Sequence, residues 1–156
     1  MKKTLKSLLA VLAVLAVATL AACSLFLQKT TLVNTQIAGD KTTITYYTKR
    51  SSDKVVKQEA LSEVTLSKLM GSKNKKQTNA AYAKMKAAVK PYKGLAGVTT
   101  EVKRDGDKAT QKITIDYTKV NMKKLKAAEG AGTGTADSVS LKQSVGVLKA
   151  AGYEEK

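Results

Sequence analysis

An α+β fold is what this sequence predicts: an antiparallel sheet of about five strands in two hairpin or meander units. An amphipathic helix lies between the units, a second helix ends the chain, and the helices pack on one face. Three observations lead there. Strand-type runs come in neighbouring pairs around turn signals, so they pair locally. Helix-type periodicity falls between and after those pairs rather than after every strand. The strand candidates carry lysines and glutamates at intervals, as expected where one sheet face meets water.

The first hairpin runs from Gln28 to Thr48. Leu32, Asn34 and Gln36 alternate with Val33, Thr35 and Ile37, and Gly39-Asp40 is the turn. Lys41-Thr42-Thr43-Ile44-Thr45-Tyr46-Tyr47-Thr48 is β-branched and aromatic, the composition of a strand. Ile44 and Tyr46 share a face with Thr42 and Thr48; Tyr47 lies on the other. After a turn at Arg50-Ser51-Ser52-Asp53, Val55 to Leu66 is a third strand, with Lys57, Glu59 and Glu63 suggesting one wet face. Lys68 to Thr78 is a polar, lysine-rich loop or helix entry. Asn79 is the expected N-cap of a helix whose Tyr82, Met85 and Val89 recur at helical spacing. Pro91 limits its continuation, and Gly94 and Gly97 close it.

Val98 to Lys103 and Lys108 to Thr118 form the second hairpin around Arg104-Asp105-Gly106-Asp107, where Asp-Gly is a tight-turn signal. Met122 to Ala128 reads as a short helix and Gly130 to Thr135 as a flexible loop. The last helix spans Ser140 to Ala151: Ser140 with Gln143 fits a capping box, Leu141, Val145 and Leu148 form an apolar stripe, and Gly152 suits the C′ position.

Ahead of this domain stands an export signal. Lys2, Lys3 and Lys6 precede an apolar run from Leu8 to Leu20, which ends in Leu20-Ala21-Ala22-Cys23. A positive start, a short apolar stretch and small residues at the cut define a secretory signal. The ending looks like a lipobox, which implies diacylglycerol on the Cys23 sulfur and cleavage between Ala22 and Cys23. The thiolate is the natural nucleophile for that transfer, and two acyl chains hold a protein stably on a bilayer. Because Leu25-Phe26-Leu27 prolongs the run to ~20 apolar residues, an uncleaved membrane helix is the alternative. Either way the remainder lies outside the cytoplasm. The expected organisation is residues 1–22 as signal, 23–28 as lipidated tether and 29–156 as one domain.

The mature chain of 134 residues keeps 25 basic against 12 acidic residues, a net +13. Such charge suits nucleic acid, anionic membrane or anionic polymer. Export argues against nucleic acid, as does an aromatic content of 4% with no Trp, too sparse for base stacking. Anionic lipid and anionic wall polymer remain, with Lys73, Lys75 and Lys76 as candidate contacts; a purely solvated lysine surface is the bland alternative. A second class of partner is another envelope protein, bound through a sheet edge or helix face.

Nothing here reads as an enzyme. There is no His, which removes Ser-His-Asp and Cys-His catalysis and the commonest transition-metal ligand. No cofactor or metal is expected beyond the lipid on Cys23. Ser51-x-x-Lys54 and Ser72-x-x-Lys75 match Ser-x-x-Lys by lysine abundance, without companion motifs. Asp105-Gly106-Asp107 lacks the ligand spacing of a calcium loop, and the Gly130 to Gly134 stretch lacks the Gly-Lys-Ser/Thr of a phosphate loop. Asp116 is expected on the solvated face. Tyr46, Tyr82, Tyr92 and Tyr117 read as core-edge residues, with a tyrosine-lined groove as the sharper alternative.

One resemblance covers most of the mature chain. It rests on the lipobox at Cys23, Lys41-Thr42-Thr43-Ile44-Thr45-Tyr46 and Asp53-Lys54-Val55-Val56-Lys57-Gln58. Further on come Tyr92-Lys93-Gly94-Leu95-Ala96-Gly97-Val98, Ile115-Asp116-Tyr117, and Ser140-Leu141-Lys142 through Ala151-Gly152-Tyr153. In this order they resemble the YehR-like family of small bacterial lipoproteins, a domain of unknown function. The resemblance implies an α+β surface lipoprotein and supplies no activity.

Overall fold

The computed structural model describes residues 27–130 and 137–156. The leader with Ala22 and Cys23, and all of the glycine-rich loop after Gly130, lie outside the described residues. The elements are β1 (Leu27–Asn34), β2 (Asp40–Lys49), β3 (Val55–Thr65), α1 (Leu66–Met70), α2 (Lys75–Ala88), β4 (Val98–Asp105), β5 (Lys108–Asp116), α3 (Met122–Ala128), α4 (Leu141–Ala150) and β6 (Glu154–Glu155), with a 3-10 turn at Lys90–Tyr92. The sheet order is β4-β5-β3-β2-β1-β6, and every neighbouring pair is antiparallel.

The α+β class holds, with six strands rather than about five. The extra strand is two glutamates that pair with Leu32 and Val33 of β1. A run this short carries no period-two signal. Its position follows from the end of α4, where Gly152 takes φ 84°. There the Tyr153 N–H bonds Leu148 O and the Gly152 N–H bonds Lys149 O, both at 3.0 Å. These two bonds are a Schellman motif, and they turn the chain back along β1.

In the second hairpin β4 runs two residues further than expected, to Asp105, and β5 ends two residues earlier, at Asp116; two other boundaries differ for a visible reason. β3 stops at Thr65 because Leu66 starts α1, where the hairpin turn of β4 and β5 captures it. The Leu66 N–H donates to Asp107 O at 2.8 Å and the Ser67 N–H to Asp107 Oδ1 at 2.9 Å. Asn74, not Asn79, caps α2, its Oδ1 accepting the Lys76 N–H at 2.9 Å. Asn79 sits a turn inside the helix. The cap of α4 falls where the sequence puts it, at Ser140, and Asn121 caps α3.

Three apolar clusters lie between the sheet and the helices. Val64, Leu66, Ala81 and Ala109 pack with Tyr82 and Met85 of α2. Leu32, Tyr46 and Val55 pack with Leu141, Val145 and Leu148 of α4 and with Tyr153. Ile115, Val120 and Leu125 pack with Tyr92, Leu95 and Met122. All use the same face of the strands, so the helical layer covers one face. On the other, charges interlock: Lys41 with Glu63 at 3.1 Å, and Lys57 and Lys112 with Glu59 at 2.6 and 3.7 Å. Tyr47 is buried on this open face because the Lys29 and Lys57 side chains cover its ring, their ammonium groups 5.5 and 4.8 Å from its centre.

Candidate functional site

The basic charge is not spread evenly. On the open sheet face Lys41, Lys57 and Lys112 are matched by carboxylates. From Val64 to Thr100, by contrast, the chain carries eight lysines and no Asp or Glu. That stretch is α1, α2 and the 3-10 turn, so the unneutralised charge sits on the helical layer.

A cleft of about 510 Å³ opens where the start of α2 faces the tip of the β4–β5 hairpin. Lys73, Lys75 and Arg104 line it, with Ser67, Asn79 and Asp107. Arg104 is held on three sides. Its Nε donates to Gly106 O and its Nη1 to Asn79 Oδ1, both at 2.7 Å, and its guanidinium lies 5.6 Å from the centre of the Tyr82 ring. Such a fork gives up little freedom on meeting an oxyanion. Asp107 is the one carboxylate among the lining residues, and it is already engaged by Ser67. The Ser67 hydroxyl above all holds the Asp107 carboxyl below the usual range; its N–H, Arg104 and Lys73 add to this against the opposing effect of burial. Three cations against one ionised carboxylate leave the cleft net positive. That balance of charge suits an anion.

Of the three lysines singled out in the sequence, Lys73 and Lys75 line this cleft and Lys76 does not. Arg104, Ser67 and Asn79 were not foreseen. The signal for Arg104 was present in the hairpin turn, but that turn meets residues 25 and 40 positions away only through the fold.

The other singled-out residues serve the fold. Ser51 sits in a turn with φ 59°, and Ser72 Oγ accepts the Asn74 N–H at 3.1 Å ahead of α2. Asp116 accepts the Thr118 N–H at 3.0 Å and pairs with Lys119 at 3.4 Å. Burial alone would raise its carboxyl; Thr118 and Lys119 outweigh that and hold it low. The tyrosines are divided among the three clusters rather than lining one groove. Tyr117 donates its hydroxyl to Gln58 Oε1 at 2.7 Å, and burial pushes that phenol well above its ordinary range. A smaller cleft of about 200 Å³ between α3 and α4 holds Glu129, whose carboxyl burial pushes up. Among the described residues no three His, Cys, Asp or Glu side chains come together to hold a metal.

The stretches that carried the family resemblance meet in space. Asp53 O accepts the Leu141 N–H at 2.7 Å, and its carboxylate takes the Ser140 hydroxyl at 2.6 Å and the Lys142 N–H at 2.8 Å. Gly97 O accepts the Asp116 N–H at 2.7 Å. These motifs are seams of the fold, which explains their joint occurrence without any shared chemistry.

Comparison with known proteins agrees. Residues 29–154 match the family described as a protein of unknown function, DUF1307. The chain is 32% identical over 117 residues to the uncharacterized lipoprotein Lin0239 of Listeria innocua, covering 74% of this chain and 71% of that one. It is 30% identical over 129 residues to the uncharacterized lipoprotein Lmo0207 of Listeria monocytogenes, covering 81% and 79%. The NMR structure of the E. coli YehR protein superposes with a TM-score of 0.64 at 26% identity, covering 83% of this chain and 90% of that one. With the six-stranded antiparallel sheet, the single helical layer and these relatives in agreement, the chain belongs to the DUF1307 family of lipoproteins.

Proposed function

We propose that this is a lipid-anchored, non-enzymatic protein of the cell envelope, held on the outer side of the cell membrane through Cys23, that binds an anionic envelope polymer in the cleft of Lys73, Lys75 and Arg104. The observation that carries the reading is the position of that cleft along the sheet. Leu27 begins β1 beside Lys49, and the β3 residue at that same end is Val55, opposite Thr48. The cleft lies beyond the other end of β3, past Thr65 and Lys108. The 11 residues of β3 span about 36 Å at ~3.3 Å each. Leu27 is four residue steps from Cys23, a reach of at most about 14 Å. An anchor at Cys23 therefore holds the Leu27 end near the bilayer and turns the cleft away from it. That geometry favours a polymer strand over lipid headgroups as the anion.

Two outcomes test this. The intact mass of the membrane-extracted protein is expected to be that of residues 23–156 plus diacylglycerol, and Cys23→Ser is expected to abolish the lipid mass; a wild-type protein that keeps residues 1–22 and carries no lipid would mean an uncleaved helix instead. For the cleft, the detergent-solubilised full chain is passed over immobilised poly(glycerol phosphate) at low and physiological salt. With each lysine near an anionic surface worth about 1 kcal/mol, Lys73→Glu with Lys75→Glu should weaken binding at least about tenfold, while Lys76→Glu should cost clearly less. Equal losses from all three, vanishing at physiological salt, would reduce the charge to a solvated surface.

A further inference from the structure

β4 is the outer strand on its side of the sheet, paired only with β5. Its hydrogen-bonding sense follows from the register. Gly97 O accepts the Asp116 N–H, so the Gly97–Asp116 position is a hydrogen-bonded pair. In an antiparallel ladder such pairs alternate. The register makes Thr99–Thr114, Glu101–Lys112 and Lys103–Thr110 the next hydrogen-bonded pairs. The main-chain N–H and C=O groups of Thr100, Val102 and Arg104 therefore point away from β5, toward the open edge. No proline or bulge, two of the devices that block an edge, interrupts this one.

Beside that edge runs a groove of about 470 Å³ between β4 and the end of α2. Val102, Ala83 and Val89 give it an apolar floor, and Lys86, Lys90 and Lys93 stand along it. Lys86 lies 4.9 Å over the Tyr82 ring. Among the described residues none of these three lysines is paired with a carboxylate. The groove thus combines a strand template, a floor for side chains and three cations with no counter-charge.

We propose that the β4 edge binds an extended acidic segment of another envelope protein by strand addition, antiparallel to β4, with carboxylates at alternate positions entering the groove. Main-chain bonds to Thr100, Val102 and Arg104 supply the affinity, and Lys86, Lys90 and Lys93 select acidic side chains. Self-association through this edge is disfavoured by the same charges, since β4 against β4 would bring two lysine rows side by side. The proposal does not rest on the polymer reading of the other cleft.

The test uses the detergent-solubilised full chain and a fluorescein-labelled octapeptide of strictly alternating glutamate and threonine, followed by fluorescence anisotropy at physiological salt. In the proposed pairing the glutamate amides face β4 and the threonine amides face water. Each lost main-chain bond is worth about 1 kcal/mol, so N-methylating the glutamate amides should weaken binding at least tenfold, and N-methylating the threonine amides about twofold or less. A block peptide of the same composition and charge, with all its glutamates ahead of all its threonines, should bind several-fold more weakly. Lys86→Glu with Lys90→Glu should also lose about tenfold or more, with Lys156→Glu, at the opposite edge of the sheet, as the variant that leaves this peptide bound. Equal effects from the two methylation sets, or no preference for the alternating peptide, would overturn strand addition. So would a protein that ignores the peptide and dimerises through β4.

Discussion

Leu32→Ala is expected to lower the unfolding free energy by about 3–5 kcal/mol, at the upper end of large-to-small core changes. Leu32 is fully buried where β1, β2 and β3 meet α4. Its loss leaves a cavity among Tyr46, Val55 and Leu148 rather than at a margin that can collapse. The effect should reach further than the cavity. No residue of α4 is itself fully buried, so this helix is held by half-buried contacts to the Leu32 cluster and by the Asp53 bonds at its start. Urea unfolding of the full chain followed by far-UV circular dichroism measures the first effect. Hydrogen exchange of the α4 amides measures the second, and they should exchange well before those of β3 and β5. A loss under about 1 kcal/mol would mean that the cluster repacks.

Gly39→Ala is the other large change, and Gly71→Ala is its control. Both glycines have positive φ, 82° and 60°. Around Gly71 a new Cβ meets nothing within 4 Å, whereas at Gly39 it would stand 2.6 Å from Lys68 Cβ, 2.7 Å from Leu69 N and 2.9 Å from Thr65 O. Two of those three are backbone atoms and cannot swing aside. Gly39 O also accepts the Thr65 N–H at 2.6 Å, so the turn and the start of α1 are closed against each other. The expected cost is about 1 kcal/mol at Gly71, from the left-handed backbone alone, and more than about 2 kcal/mol at Gly39. Thermal melts of the two variants decide it. Equal losses would show that the β1–β2 turn and α1 can move apart.

What could be read in the sequence was what neighbours in the chain decide. Gly39-Asp40 and Asp105-Gly106 set the two hairpins, and Met122 to Ala128 is the helix α3 to the residue. Ser140 and Gly152 fix both ends of α4. Errors came where distant parts of the chain decide. The start of α2 was hidden because Asn74 and Asn79 are both capping residues within a lysine-rich stretch of no clear period. α1 exists because Asp107, 40 positions away, offers acceptors to its first N–H groups. β6 has no pattern and is created by its neighbour. The cleft was half legible: charge density pointed to Lys73 and Lys75. Arg104 counted only as part of a turn until Asn79 and Tyr82 came to meet it.

The strand direction that separates Leu27 from the Arg104 cleft also has a mechanical meaning. A polymer gripped at the cleft and a lipid pulled at Cys23 would stretch the domain along its strands. Ladder hydrogen bonds lie across the strands, so that load is shear, shared by many bonds at once instead of opening them singly. β1 would take it first. It is braced along its whole length by β2, and over Leu32 and Val33 by β6 on the other side. Two C-terminal glutamates would thus act as a clasp on the strand nearest the anchor.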